Sequence, residues 1–327
     1  MTDASSSRRV AAVVVVWKSL GSTMQAIESL IASSVRPNPL ICIAQELSES
    51  DIEVLATVVP GDDLIVLKDN VGFASAVNLG ISRAQGLGCD WVFLANNDAT
   101  FDASCIARCR DEAGRYDHVA VVSPAISYSQ RPDRLWFAGA VQSRLFAVVW
   151  HRGHFASATR PPASSECDYI PSCSALMSVA AWAEVGPMRD DYFMYFEDVD
   201  WGDRARQRGW HLRYLGEVLA SHEMGGSSDH PGSRFMSSNP TYYLARNPLR
   251  FALETPTTAL RVSRVFGAGV IWSLYNLSRV RPSDWSTSGR ALVEGLRDGW
   301  RGRMGRRDLA RSERTLGSLP RTGNKPG

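Results

Sequence analysis

From Val10 to Trp17 the chain reads VAAVVVVW, eight residues with no charged or amide side chain and five of them valine. A continuous β-branched run of this kind is what a strand covered on both faces of a parallel sheet requires. It is too short to span a bilayer, and no small-residue cleavage site comes after it, so a secretory leader is not expected. The next eighty residues repeat the theme. Met24, Ile27, Leu30 and Ile31 stand at helical spacing between Thr23 and Ser33, and Pro37 and Pro39 close that helix before LICIA at 40–44. DLIVL at 63–67 reads as a third strand, and Phe73, Val77 and Ile81 mark one face of a further helix that stops near Gly86 and Gly88. WVFLA at 91–95 is a fourth strand. The alternation predicts an α/β fold with a Rossmann-like, doubly wound, mostly parallel sheet, in which ligands bind beyond the carboxyl ends of the strands.

At one such end the apolar run gives way to FLANNDAT (93–100). Asn96, Asn97 and Asp98 suit an ordinary turn, because their side chains bond nearby backbone and tolerate left-handed geometry. They also suit a ligand site, so the choice depends on matching chemistry elsewhere. Two further places offer it. Glu197 and Asp198 open a helix of two to three turns that should stop at Gly209. Asp200 and Asp203 behind them fit the favourable helix N-terminus, while Tyr192, Phe193, Tyr195, Phe196 and Trp201 can form a partly dry cleft around the leading pair. His222 comes after the strand-like WHLRYL (210–215) and precedes Gly225, Gly226, Ser227 and Ser228. With Asp98 it makes an oxygen and nitrogen pair suited to a divalent ion that keeps waters and takes phosphate oxygens.

At 327 residues and 44% hydrophobic content the chain has enough apolar material for a large globular core. The six cysteines show no CxxC pairing and are too sparse for a disulfide scaffold, so reduced thiols and a cytoplasmic location are expected. The net charge of +2 is unevenly spread. From Thr255 onward 14 basic residues face 5 acidic ones, +9, leaving −7 for the rest. Between Ala259 and Val280 apolar residues and arginines alternate without a run long enough to cross a membrane. That stretch suits either an anionic membrane surface or a helix packed on the main domain with a solvated basic face. No nucleic-acid motif accompanies the charge. The expected division is a disordered 1–9, a catalytic domain over 10–254, a basic amphipathic helical extension over 255–315, and a disordered tail over 316–327.

Taken in order, VVVVWKS (13–19), NVGFASAVNLGI (70–81), FLANNDAT, DYIPSCSALM (168–177), GPMRDDYFMYFEDVDWGDRARQRGW (186–210), the His222 loop and YYLARN (242–247) resemble glycosyltransferase family 2. These are inverting enzymes of the GT-A fold, and the likeness is to the rhamnosyltransferase-like branch. The resemblance implies a metal-dependent transfer of a sugar, a deoxyhexose such as L-rhamnose, from a dTDP- or UDP-sugar. The acceptor would be a hydroxyl of a glycan, glycolipid or secondary metabolite, lipid-linked or free, as in cell-envelope polysaccharide synthesis. Asp98 and His222 would hold Mg²⁺ or Mn²⁺, with Asn96 replacing the first acid of the family's DxD motif. Asp198 would be the general base, with Glu197 beside it. Val16, Trp17, Gln45, Asn70, Gly72, Phe73, Asn78, Asn96 and Asn97 would line the nucleotide-sugar site, with Gly72 letting backbone approach the ligand, and Tyr195 and Trp201 the acceptor site. The chain departs from the family at Lys18, where Asn is usual, and at Ala44-Gln45-Glu46, where Val-Asp-Asn is usual. A sugar nucleotidyltransferase and an inactive sugar-nucleotide binder or membrane scaffold are the competing readings. The location implied is cytoplasmic, free or peripheral on the inner face of the cell membrane.

Overall fold

A computed structural model of the chain describes residues 9–223 and 236–308. The expectations for residues 1–8, for the loop Gly225 to Ser228 and for the tail 316–327 lie outside the described residues. Arg9, expected in a disordered leader, is anchored: its backbone N–H donates to Asp90 and its guanidinium to the carbonyls of Asn38 and Leu87.

The first half alternates strand and helix: β1 (Val10–Trp17), α1 (Leu20–Ile31), β2 (Leu40–Gln45), α2 (Glu49–Ala56), β3 (Leu64–Leu67), α3 (Phe73–Gly86) and β4 (Trp91–Asn96). The sequence pattern missed α2, because only Leu55 of that helix is buried. It is held instead by an N-cap, the Ser48 hydroxyl accepting from Asp51 N–H, and by Glu49 and Asp51 in the first turn. Then come β5 (Ala99–Phe101), α4 (Cys105–Ala113), β6 (Val119–Tyr128), β7 (Arg131–Phe137), β8 (Ala140–Gln142), β9 (Val149–His151), β10 (Ser165–Glu166), β11 (Ser174–Ser178), α5 (Val179–Val185), α6 (Glu197–Gln207) and β12 (His211–His222). Helices α7 (Ser238–Leu253), α8 (Thr258–Phe266), α9 (Trp272–Ser278) and α10 (Trp285–Trp300) complete the described chain.

The main sheet has the order β10-β12-β6-β11-β4-β1-β2-β3, with β5 on β12 and β7 on β6. Strands β1 to β4 run parallel, β11 lies antiparallel between β4 and β6, and β12 runs parallel to β6. The five valines of β1 are all buried, each contributing roughly 1.5–3 kcal/mol against solvent exposure. The strand order reverses at β1, flanked by β2 and β4. The register pairs Trp17 with Gln45 and Val15 with Asn96, so three strand ends deliver their residues to one edge.

Strand β12 runs to His222, well past WHLRYL. Its register against β6 shifts after Leu215 and again after Val218, which breaks the alternation that would have revealed its length. His222 is therefore fixed in the sheet by pairing with Ala99 of β5, and is not carried on a flexible loop as expected. At the other end of the chain α10 lies against α7 in backbone contact. A Cβ at Gly299 would stand 2.7 Å from the Arg246 carbonyl, and one at Gly295 would collide with that of Tyr242.

Candidate active site

The turn after β4 is built in two halves. Asn97 is buried and donates to the Lys18 carbonyl and the Thr23 hydroxyl, which ties the end of β4 to the start of α1. Asp98 is held from the opposite side, where Glu223 N–H donates to its carbonyl and β5 pairs with β12. The result brings Asp98 Oδ1 within 3.0 Å of His222 Nε2, with both side chains about nine-tenths buried. The two atoms are close but not aligned as a hydrogen bond, and both stay unpaired, as do Asn96 Oδ1 and His222 Nδ1. Unpaired buried polar atoms are costly, and converging lone pairs on oxygen and nitrogen are the donor set of a divalent cation. Among the described residues no group of three or more His, Cys, Asp or Glu gathers as a metal centre. Two protein ligands fit an ion that keeps most of its positions for water and phosphate oxygens. The His222 ring lies against Trp136 at 4.8 Å between centroids, and the Trp136 carbonyl accepts from Nδ1 of both His151 and His154. Burial lowers the His151 pKa to about 4, so that ring is neutral. A polar cavity of about 200 Å³ opens beside Asp98, lined in part by Ser22, Gln25, Thr100, Ser221 and Glu223. A cavity of about 400 Å³ under Arg144, Arg152 and Arg206 holds none of these residues.

The Glu197–Asp198 pair comes after a strained loop. Phe193, Tyr195 and Phe196 have φ of 67°, 64° and 79°, the left-handed region that costs a non-glycine residue about 1–3 kcal/mol each. Buried polar side chains of α7 hold it. The Asn247 amide shares its two hydrogens among the carbonyls of Tyr192, Met194 and Tyr195 at 3.2, 2.8 and 2.7 Å, and Arg246 donates to Tyr192 and Gly305. On the other side Phe73 N–H donates to the Phe193 carbonyl at 2.7 Å, and Asn78 makes a two-way bond with the backbone of Met188.

Within this frame Glu197 is buried with Oε2 unpaired, and its pKa lies well above the usual carboxylate range, through burial first and the neighbouring Asp198 charge second. Burial also raises Asp198 to about 7, against the pull of a hydrogen bond from Val199 N–H to Oδ1. A base with that pKa is matched to neutral pH. Tyr195, 38% exposed, has its phenol raised to about 12 by burial and then by the charges of Glu197 and Asp98. The buried Cys173 thiol is raised by burial and then by Asp98 and Asp198. Cys173 and Tyr195 thus lie within electrostatic reach of carboxylates from both places, so the metal-type pair and the raised carboxyl are near one another.

The family model for glycosyl transferase family 2 matches residues 25–183, a span that includes Asp98 and ends before Glu197. Residues 25–183 form a glycosyltransferase family 2 domain. It is similar to N-acetylglucosaminyl-diphospho-decaprenol L-rhamnosyltransferase of Mycobacterium tuberculosis (strain ATCC 25618 / H37Rv), 25% identical over 272 residues that cover 74% of this chain and 88% of the relative. Galactofuranosyltransferase GlfT1 of Mycolicibacterium smegmatis is 25% identical over 173 residues, 52% of this chain and 55% of that one. Among solved structures, S. aureus TarS 1-349 superposes with a TM-score of 0.52 at 11% identity over 90% of this chain and 83% of that one, a likeness of fold.

The residues expected at the donor site divide into those at the strand ends and those that hold neighbouring loops in place. Trp17, Gln45, Asn70, Phe73 and Asn96 sit at or beside the strand ends, while Val16 is buried in the sheet. Gln45 is buried too, and its carbonyl oxygen accepts from Val71 N–H. Asn70 caps its own turn by accepting from Gly72 N–H. The expectations for Gly72, Asn78, Asn97 and Trp201 need correction. Gly72, at φ 94°, does not serve ligand approach in the first place: a Cβ there would stand 2.6 Å from the Phe193 carbonyl, so glycine is needed for the 193 loop to close. Asn78 is occupied by Met188 and Asn97 by the α1 turn, so both position loops and do not face a ligand. Trp201 is 2% exposed, donates its indole N–H to the Gly186 carbonyl and stacks on Trp182, which leaves no face for an acceptor. Asp200, buried, pairs with Arg204, and the half-buried Asp203 pairs with Arg206.

Glu46 escaped sequence reading. It accepts from the Trp17 indole at 3.1 Å and from Arg306 at 3.0 Å, and Arg306 also reaches the Asn70 carbonyl. The segment after α10 thereby reaches the carboxyl ends of β1 and β2, an arrangement no local pattern signals across 260 residues. Arg246 and Asn247 lay within the YYLARN resemblance, but nothing local assigned them a partner some 50 residues upstream.

Proposed function

We propose that the protein transfers a deoxyhexose such as L-rhamnose, with inversion, from a dTDP- or UDP-sugar to a hydroxyl of a lipid-linked or other glycan acceptor. The observation behind this is the approach of Asp98 Oδ1 to His222 Nε2, with the raised carboxyl of Asp198 near enough that Asp98 and Asp198 both act on the Cys173 thiol. Asp98 and His222 would hold Mg²⁺ or Mn²⁺, which when bound neutralises the charge developing on the leaving diphosphate.

The chain's own side chains supply the rest. Asp198, ionised above about pH 7, takes the proton of the acceptor hydroxyl as that oxygen attacks the anomeric carbon on the face opposite the diphosphate. Glu197, kept protonated by burial and by its neighbour, orients Asp198 or the acceptor without adding a competing negative charge. Tyr195 is partly exposed, so its ring can contact a sugar of the acceptor. The rhamnose and the lipid-linked acceptor draw support from the named activity of the mycobacterial relative.

A panel of dTDP- and UDP-sugars tested by thermal shift with and without Mn²⁺ examines the donor side, because a ligand of the native state raises its melting temperature. The reading expects a metal-dependent rise with at least one nucleotide sugar, and transfer of that sugar to an acceptor hydroxyl. Binding that ignores the metal would contradict it.

A further inference from the structure

Helix α8 continues through a π-helical turn at Gly267–Ile271 into α9, so one helix runs from Thr258 to Ser278. Its two faces differ sharply. Ala268, Trp272 and Asn276 point inward, and the Trp272 ring meets Phe196, the residue before Glu197, edge-on at 5.9 Å. On the outer side Val262, Phe266, Val270 and Leu274 recur every four residues and are exposed, Val262, Phe266 and Leu274 to 66%, 58% and 64%, joined by Ile271, Tyr275 and Leu277. A second segment, distant in sequence, adds to this face. The Trp272 indole donates to the Ala147 carbonyl and Gly267 packs on Phe146, which places the exposed Leu145 and Phe146 beside the helix. Between Thr258 and Arg281 there are four arginines and no acid; Arg261 donates to the Thr255 and Pro256 carbonyls and Arg264 lies over the Phe251 ring, while the exposed Arg144 adds positive charge at the 145 loop.

We propose that this face docks on an anionic lipid surface, with Phe266, Val270 and Leu274 at the depth of the headgroups and acyl boundary, Arg144 on the lipid phosphates, and the uncompensated positive charge of the helix drawing the face to the surface. Large exposed apolar side chains gathered on one face mark an interaction site, and a basic rim selects a negatively charged partner. A second copy of the chain fits worse, because two such faces would set arginine rims against each other. No helix among the described residues is long and apolar enough to cross a membrane, so the contact is a surface one. Since the inner side of the same helix rests on Phe196, docking brings the bilayer to the mouth that leads to Asp198. The proposal rests on the transferase reading only for the acceptor's class: a lipid-linked hydroxyl would be presented from the surface on which the enzyme sits.

Flotation of the full-length protein with phosphatidylglycerol-containing vesicles, and with pure phosphatidylcholine, tests the docking. The comparison is with the Phe266→Glu, Leu274→Glu double variant, whose unchanged melting temperature checks its fold. The wild type should float with the anionic vesicles at low salt, fade as salt rises, and exceed the variant roughly tenfold or more. Both proteins should transfer sugar equally to a short soluble acceptor. Equal flotation of wild type and variant overturns the proposal, as does a wild type that stays at the bottom and instead forms a dimer that the variant loses. Flotation as expected without transfer by either protein would overturn the transferase reading and leave the docking intact.

Discussion

The Asn247 amide donates at 2.7 Å to the Tyr195 carbonyl, two residues before Glu197 and from a helix that begins forty residues after Asp198. The same amide reaches Tyr192 and Met194, so one buried side chain holds a loop with three left-handed residues that would relax without it. Asn247→Ala should lower kcat at least tenfold with donor affinity kept, and should lose about 2–3 kcal/mol of stability as buried carbonyls go unpaired. Asn247→Asp, which cannot donate, should be worse. Steady-state kinetics beside a denaturant melt check this, and a destabilised variant with normal kcat would mean the strap does not position the pair.

Removal of either proposed metal ligand separates the site from a simple turn. Asp98→Ala should abolish transfer and the dependence of nucleotide binding on Mn²⁺, and His222→Ala should weaken that dependence to a smaller degree. Titration calorimetry of nucleotide diphosphate with and without the ion reads both. Full activity in Asp98→Ala would make the segment after β4 a turn and no more.

The raised carboxyl carries a signature in stability as well. Asp198 has a folded pKa of about 7 against 3.8 for the free side chain, so the fold disfavours its charged form. Relative to an uncharged residue this burden is absent below pH 3.8, accrues as pH rises, and is complete above about 7. Metal-free Asp198→Asn should therefore melt higher than wild type at about pH 8 and no higher at about pH 4. A pH-independent difference would place Asp198 in an ordinary solvated setting.

Trp201→Phe should cost about 1 kcal/mol, chiefly the lost bond to the Gly186 carbonyl, and leave the KM for acceptor unchanged. A KM raised roughly tenfold at normal stability would restore Trp201 to the acceptor site.

What the sequence made legible came from short-range periodicity. The valines of β1, the apolar run ending at Asn96 and the apolar face of α3 specify strands and helices by local spacing, and the parallel order comes from their alternation. Asp98 and His222 stand out by following apolar strands and Glu197 and Asp198 by their aromatic neighbours, but each also suits a plain structural role, and only the family resemblance assigns them chemistry. Partners distant along the chain were not legible. Asn78 with Met188, Asn247 with Tyr195 and Glu46 with Arg306 are joined only by the folded sheet, and a residue type alone does not reveal whether an amide faces ligand or backbone. Trp201 failed for a related reason: its neighbours on the chain face the cleft, while helical rotation turns its own ring into the core.

Asp198→Asn removes the assigned base and little else. The substitution is nearly isosteric and removes only the capacity to take a proton. Donor affinity should stay within a few-fold of wild type while turnover falls by roughly two to four orders of magnitude. The anomeric coupling of the wild-type product, read by NMR, should report inverted configuration. Normal turnover in Asp198→Asn, or a product with retained configuration, would contradict the assignment of the base and the mechanism built on it.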